Sequence, residues 1–173
     1  MSGELAKQHP LFFDIKEAGA SMEEVAVDVI KSEGQNLTSY WYHSPLDVDL
    51  YVWFDEKKNI IKQQVSICGQ ICEWNIVDGV RTGYIFETEA ENSDEESTIH
   101  YDLAMHKTSL NQAVELLRFA ESLNSNTIEK LIYNFERNPM VDSIDPKELL
   151  SQYGNTAKDL KGSLALFFKK LFK

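Results

Sequence analysis

The sequence has few of the features that mark several common protein classes. It contains only two cysteines and four histidines in 173 residues. Its first nineteen residues hold no sustained apolar run of the kind found in secretory signals. No stretch approaches the roughly 18 apolar residues that a membrane-spanning helix needs. Reduced thiols and a cytoplasmic location are therefore expected.

The familiar motifs of catalysis and cofactor binding are also missing from the sequence. There is no serine nucleophile motif, no glycine-rich phosphate loop and no dinucleotide fingerprint. The net charge of −11 disfavours general nucleic-acid binding, because a phosphate backbone needs a basic surface to displace its counterions. We assign no catalytic residue, cofactor or metal ligand from the sequence, and a non-enzymatic protein is favoured.

Both cysteines lie in "QQVSICGQICEW", where Cys68 and Cys72 are four positions apart. A two-residue turn at Gly69–Gln70, with glycine supplying a positive φ, would pair Val65 with Trp74 across a hairpin. The two thiols would then point to opposite faces of the sheet. Neither a disulfide nor a shared metal ion tolerates that arrangement, so two structural thiols are predicted.

The central part of the chain alternates apolar and polar residues in a way that predicts an antiparallel β-meander. We expect four to six strands between about residues 37 and 104, with a hairpin turn at Asp78–Gly79. One face should hold Val65 and Trp74, and the second face is apolar enough to need a cover. The expected second face carries Tyr51, Trp53, Cys68, Ile71, Val77, Val80, Tyr84 and Phe86.

Helices are predicted both before and after the strands along the chain. Ser21–Glu24 matches a capping box and predicts an N-terminal helix over about 21–33. Apolar stripes at helical spacing, and a proline-led helix start at residue 145, predict several C-terminal helices over about 108–153. The fold class is therefore α+β, with a single domain over 1–157 followed by a separate basic amphipathic helix over 158–173.

The stretch "WYHSPLDVDLYVWFDEKKNIIKQQVSI" carries a resemblance, together with the later tryptophan-containing strand, "STIHYD" and a helix pair. It resembles a family of uncharacterised bacterial proteins that share W-[FY]-H, a short acidic gap, D-L-[YF]-V-W-[FL]-D and I-x-x-[FQ]-Q. The resemblance covers about residues 40–136. It implies a sheet core and its turns, and it implies no assigned activity.

Two polar features are candidates for chemistry. His43 with Asp47 and Asp49 could form an acid–base or metal cluster, or could simply organise a turn at the end of a strand. Segment 87–97, "ETEAENSDEES", holds six acids but lacks the glycine and alternating ligands of an EF-hand. We interpret it as a solvated loop, with a role toward a cation or a basic partner as the alternative.

The last sixteen residues have the pattern of an interaction helix. They contain five lysines and one aspartate, in a chain whose net charge is −11. Such a helix could pack on its own sheet or on a twin subunit, dock in a groove on another protein, or lie on an anionic membrane surface. Its apolar face consists of Leu160, Leu164, Phe167, Phe168, Leu171 and Phe172.

The sequence therefore favours a non-enzymatic protein-interaction or adaptor module that can self-associate through this helix. The expected partner is another protein or a second copy of the chain. The alternative is a small enzyme or ligand-binding protein with a cleft near His43, Asp47 and Asp49. A deep pocket around these three residues would favour the alternative, whereas a flat aromatic surface would favour the interaction module.

Overall fold

The computed structural model describes residues 13–26, 37–86, 98–145 and 147–148. The predicted helix over 158–173, with its six apolar residues, and the acidic segment 87–97 lie outside these residues. The described elements are α1 (Ile15–Ala20), β1 (Glu23–Glu24), β2 (Thr38–Ser44), β3 (Val48–Phe54), β4 (Ile60–Ile67), β5 (Gln70–Asn75), β6 (Gly79–Phe86), β7 (Thr98–Tyr101), α2 (Lys107–Arg118), α3 (Ser125–Arg137) and a 3-10 helix (Val141–Ser143).

The strands form one antiparallel sheet in which neighbours in sequence are also neighbours in space, from β1 to β7. The predicted α+β class and the antiparallel meander are confirmed. The number of strands is larger than predicted, since seven are present among the described residues and four to six were expected. Strand β1 is only two residues long, and two residues show no alternation that a sequence pattern could detect.

The predicted N-terminal helix over 21–33 is wrong at its start. Helix α1 lies before this range and ends at Ala20. Its N-terminal cap is Asp14, whose carboxylate accepts the N–H groups of Lys16 and Glu17. Ser21 lies at the C-terminal end of α1 and contacts Ser44 through the two hydroxyl oxygens at 2.8 Å. The chain then pairs with β2 as strand β1. Residues 27–33 of the predicted helix lie outside the described residues.

The turn between β4 and β5 differs from the predicted one by one position. Cys68 and Gly69 are its central residues, and both have positive φ angles, 49° and 81°, as a type I′ turn requires. Val65 consequently pairs with Cys72 rather than with Trp74. The pairing has moved by two residues, so the predicted faces of β4 and β5 are preserved.

The two thiols are therefore inequivalent, and their reactivity is predictable. Cys68 is exposed in the turn, whereas Cys72 is buried, and both thiols are free. Burial, assisted by the Glu73 carboxylate, raises the pKa of Cys72 to about 12. We expect a maleimide to label Cys68 in the native protein and Cys72 only after unfolding. A titration without reductant that finds fewer than two thiols in the denatured protein would contradict this assignment.

The faces of β6 are inverted relative to the prediction. Asn75 pairs with Gly79, so the loop between β5 and β6 has three residues rather than two. The Asn75 side chain shapes this loop by accepting the N–H groups of Val77 at 3.0 Å and Asp78 at 2.8 Å. An odd shift in pairing exchanges the faces of a strand. As a result Val80, which pairs with Trp74, shares the face of that tryptophan instead of opposing it.

Because of these turns, the other residues of the predicted second face do not all lie on one face. Tyr84 pairs with Gln70 and so lies on the same face as Val80, while Cys68 and Val77 lie in turns. Tyr51, Trp53 and Ile71 stay on the predicted face, and only the main chain of Phe86 is described.

Helices α2 and α3 pack on the face that carries Val65, Cys72 and Trp74. The predicted burial of Trp74 on the apolar face is confirmed, with 2% of its surface exposed. A buried pair of amides ties α3 to the sheet: Gln63 donates to the main-chain oxygen of Leu131 at 2.8 Å and accepts from Asn134 at 3.0 Å. These bonds satisfy polar groups that would otherwise be costly in the core.

The predicted helices over 108–153 correspond in part to α2, α3 and the 3-10 helix. After the 3-10 helix, the Asp145 carboxylate accepts the N–H of Lys147 at 2.7 Å, as a helix cap does. Lys147 and Glu148 are helical. The rest of this predicted helix lies outside the described residues.

Candidate functional site on the open face of the sheet

The sheet face opposite α2 and α3, which we call the open face, carries every second residue of the central strands. Its aromatic side chains on β2 and β3 are partly exposed, whereas Ile71 and Glu73 at its centre are fully buried. Gln63 points toward α3, so its neighbours Lys62 and Gln64 point to the open face. Cross-strand pairing extends this face over six strands. The open-face residues with aromatic or charged side chains include Trp41, His43, Asp49, Tyr51, Trp53, Lys62, Glu73, Arg81 and Tyr101.

Three aromatic rings on β2 and β3, Trp41, Tyr51 and Trp53, form a continuous row that we call the aromatic row. The Trp41 and Tyr51 rings are stacked with centroids 5.8 Å apart, and the Tyr51 and Trp53 rings are stacked at 6.0 Å. The Lys62 ammonium lies 4.9 Å from the centroid of a Trp53 ring and continues the row by a cation–π contact. All three aromatic side chains are partly exposed.

Asp49 holds the other end of the aromatic row. One of its carboxylate oxygens accepts the indole N–H of Trp41 at 2.7 Å and lies 2.8 Å from Nδ1 of His43. Burial, together with the Asp49 charge, raises the pKa of Tyr51. This carboxylate therefore fixes the orientation of two rings and disfavours ionisation of a third.

The structure brings together only part of the predicted polar cluster. His43 and Asp49 face each other in the β2–β3 hairpin, where they are cross-strand partners. Asp47 lies in the hairpin turn with a φ of 60° and an exposed side chain, and its main-chain oxygen accepts the N–H of Cys68 at 2.9 Å. The His43 side chain is 46% exposed, so it stands at the surface rather than in a deep cleft.

A second group of side chains, which we call the polar cluster, surrounds Glu73 at the centre of the open face. Arg81 donates to one Glu73 oxygen at 2.7 Å, and the Tyr101 hydroxyl donates to the other at 2.8 Å. The Lys62 ammonium lies 3.3 Å from the second oxygen. Arg81 also stacks over Tyr101, with 4.0 Å between the guanidinium carbon and the ring centroid. Glu73 itself is fully buried beneath these side chains.

The polar cluster keeps Glu73 ionised. Burial would raise the pKa of this carboxyl, but the Lys62 charge and the hydrogen bonds from Arg81 and Tyr101 outweigh burial and hold the pKa below its ordinary value. Burial and the same carboxylate raise the pKa of Tyr101. A carboxyl with a lowered pKa and a phenol with a raised pKa exchange protons poorly near neutral pH. These contacts are suited to fixing the positions of the side chains around Glu73.

Sequence reasoning did not identify the polar cluster. Its members are separated by up to 39 positions, from Lys62 to Tyr101, and they meet only because the meander aligns β4, β5, β6 and β7. One signal was available: Glu73 is a lone acid between Cys72 and Trp74, in a strand whose only other polar residues are Gln70 and Asn75 at its ends. A carboxylate in that position needs a partner on the sheet.

Within the described part of the chain, no group of three or more His, Cys, Asp or Glu side chains is placed to hold a metal ion. Over the same residues, no helix is long and apolar enough to cross a membrane. Comparisons with known protein families, with curated proteins and with solved structures found no match. Membership of the bacterial family that the sequence resembles stays a prediction.

Proposed function

We propose that this protein is a non-enzymatic, cytoplasmic protein-interaction module that binds a protein partner through the open face of its sheet. The aromatic row carries this proposal, because Trp41, Tyr51 and Trp53 form a rigid and partly exposed surface. Tryptophan, tyrosine and arginine dominate the binding energy of protein interfaces. Side chains that are already ordered by stacking and hydrogen bonds lose little further entropy on binding.

The polar cluster supports the same proposal. Arg81 and Tyr101 extend the aromatic row across the sheet and are themselves held by Glu73. Arginine and tyrosine beside an aromatic patch are the composition expected of an interface centre. The open face thus combines residues that bind well with contacts that fix their positions.

A small enzyme or ligand-binding protein using His43, Asp47 and Asp49 is the other function that the sequence suggested. The contact between His43 and Asp49 is present. The His43 side chain is nearly half exposed, and the Asp49 carboxylate also accepts the indole N–H of Trp41. These features support a role of Asp49 in positioning rings on the surface rather than in acid–base chemistry.

Self-association through the C-terminal segment is a further contact predicted from the sequence, and binding on the open face does not require it. The residues concerned lie outside the described part of the chain. They are Leu160, Leu164, Phe167, Phe168, Leu171 and Phe172.

Replacing Trp53 with alanine should weaken partner binding by about 2 kcal/mol or more, the usual size of an interface hot spot. The replacement removes one end of the aromatic row and the ring on which Lys62 rests. Affinity capture with the wild-type protein from its source cells identifies the partner. Titration calorimetry with that purified partner then measures the loss of affinity in the variant.

A matched control is Tyr133→Ala, which removes an exposed aromatic ring from α3 on the other side of the molecule. This variant should bind the partner as the wild type does. Urea denaturation of both variants shows whether each is folded. Equal binding by a folded Trp53→Ala variant, or equal losses in the two variants, would contradict an interface on the open face.

A further inference from the structure

The two outer strands of the sheet differ in length and in charge. Among the described residues, β1 ends the sheet on one side with only Glu23 and Glu24, and β7 ends it on the other with Thr98–Tyr101. An exposed edge is a row of main-chain donors and acceptors, and short or charged edge strands discourage another chain from pairing with it. Strand β7 contains no Asp, Glu, Lys, Arg or Pro, so it lacks the charges that protect β1.

The hydrogen bonds between β6 and β7 show which main-chain groups of β7 point outward. Asp102 donates its N–H to the main-chain oxygen of Thr82 at 2.8 Å, so these two residues form a hydrogen-bonded pair. Such pairs alternate along an antiparallel ladder. The main-chain groups of His100 therefore point to β6, whereas those of Ile99 and Tyr101 point to the outer edge. No described residue pairs with β7 on that side.

Exposed apolar side chains are concentrated at the same edge of the sheet. Six large apolar residues are exposed among the described residues, and four of them lie on β6, on β7 or in the loop from β7 to α2. These four are Tyr84, Tyr101, Leu103 and Met105, and the Leu103 side chain is fully exposed. Scattered exposed apolar residues need no explanation, but a cluster of them marks an interaction surface.

We infer that a second copy of this chain pairs with the outer edge of β7, antiparallel to the first copy and with the two-fold axis at His100. In this register Ile99 of each copy lies opposite Tyr101 of the other. The outward N–H and C=O groups of both residues then all have partners. The two seven-stranded sheets would become one continuous sheet.

The sequence of β7 favours a second copy as the occupant of this edge. A two-fold interface must be self-complementary, with residue i facing residue j in both directions. Ile99 opposite Tyr101 meets this condition, and a β-branched residue beside an aromatic one is a favourable cross-strand pair. Because β7 is uncharged in a chain whose net charge is −11, its pairing brings no like charges together. The inference is independent of partner binding on the open face, which this dimer leaves uncovered.

Disulfide formation in the full-length chain tests this inference. The base protein carries Cys68→Ser and keeps Cys72, which is buried and whose pKa is raised to about 12. His100→Cys is then added, because the two copies of this residue would face each other as a non-hydrogen-bonded pair. The Cα atoms of such a pair are about 4.5 Å apart, within the range that a disulfide bridges. Mild oxidation should produce a disulfide-linked dimer on a non-reducing gel.

Tyr84→Cys in the same base protein is the matched control. The Tyr84 ring stacks on His100, with centroids 5.4 Å apart, so each variant removes one ring of the same pair. Tyr84 lies one strand further from the edge, and its two copies would be three strand spacings, or about 14 Å, apart. That separation is too large for a disulfide. The His100→Cys protein should therefore form the dimer several-fold faster. Equal rates would indicate random collision and overturn the inference.

Sedimentation velocity at increasing protein concentration gives a second readout that needs no cysteine. The wild type should shift from monomer to dimer as the concentration rises. Ile99→Pro removes an outward N–H that makes no bond to β6, so this variant should fold while its dimer dissociates several-fold more readily. Leu46→Lys, which changes an exposed apolar residue in the turn between β2 and β3, should dimerise as the wild type does.

Urea denaturation shows whether Ile99→Pro is folded, and the cysteine comparison decides the question if it is not. A wild-type protein that stays monomeric at every concentration would overturn the inference. So would a folded Ile99→Pro variant that dimerises as the wild type does, or an equal loss of dimer in Leu46→Lys, because the contact between copies would then lie elsewhere.

Discussion

Glu73→Gln should lower the free energy of unfolding by about 3 kcal/mol near neutral pH. Removing one partner of a buried ion pair costs roughly 3–5 kcal/mol, because the attraction that offset the desolvation of the other charge is lost. The lower end applies here since Lys62 and Arg81 are partly exposed, with 17% and 33% of their side-chain surfaces accessible, and water can partly solvate them. Urea denaturation of the wild type and the variant at pH 7 measures the difference.

The pH dependence of this difference has a defined sign. The folded protein holds the pKa of Glu73 below the value of about 4.3 that glutamate has in an unfolded chain. The stabilising contribution is therefore fully present above that unfolded value and is lost as the pH falls through the folded pKa. Because glutamine cannot titrate, the gap in stability between wild type and variant should narrow as the pH falls below about 4.

Glu136→Gln provides the matched control. Glu136 of α3 forms a surface ion pair with Arg118 of α2, with 3.3 Å between the nitrogen and oxygen atoms and about half of each side chain exposed. Surface pairs of this kind contribute a median of about 0–1 kcal/mol, so this variant should unfold almost as the wild type does. If Glu73→Gln were no more harmful than Glu136→Gln, the polar cluster would not stabilise the fold.

The sheet illustrates which parts of a fold the sequence can predict. Alternation of side chains placed Val65, Cys72 and Trp74 on one face correctly, because two-residue periodicity is a local property that the turn shift of two residues left intact. The face of Val80 was wrong because the Asn75 side chain shaped a three-residue loop, where Asp78–Gly79 suggested a two-residue turn. One additional residue in the loop therefore exchanged the two faces of β6.

The N-terminal error has a similar physical origin. Ser21 and Glu24 match a capping box, yet the helix cap in this part of the chain is Asp14, at the start of α1 and seven residues before Ser21. A capping pattern states only that the side chains could satisfy free N–H groups. Here the pairing of Glu23 with His43 gives these main-chain groups sheet partners instead. Contacts between distant residues overrode a local preference.

The candidate site was predictable only in part for the same reason. The sequence identified His43 and Asp49, and it placed Tyr51 and Trp53 on a face separate from the core. It could not join Glu73 to Lys62, Arg81 and Tyr101, because each strand contributes one member and the pairing of all four strands must be known.

Trp74→Ala should destabilise the fold by roughly 3–5 kcal/mol, the usual cost of deleting a large buried aromatic side chain. Trp74 is 2% exposed, pairs with Gln63 and Val80 in the centre of the sheet, and donates its indole N–H to Pro139. The replacement leaves a cavity beneath α3 and an unpaired carbonyl in the chain that follows it. The measurement is the free energy of unfolding in urea at pH 7.

Trp53→Ala is the control that separates burial from residue type. Both tryptophans lie on central strands, but Trp53 is only partly buried: it stacks on Tyr51, lies beneath the Lys62 ammonium and packs against the edge of the core. Its replacement creates no enclosed cavity, so the loss of stability should be clearly smaller than that of Trp74→Ala. The two variants should therefore show opposite phenotypes, with Trp74→Ala unstable and Trp53→Ala stable but defective in binding. Equal losses of stability would mean that the two faces of the sheet are buried alike, and the open face would then not be available to a partner.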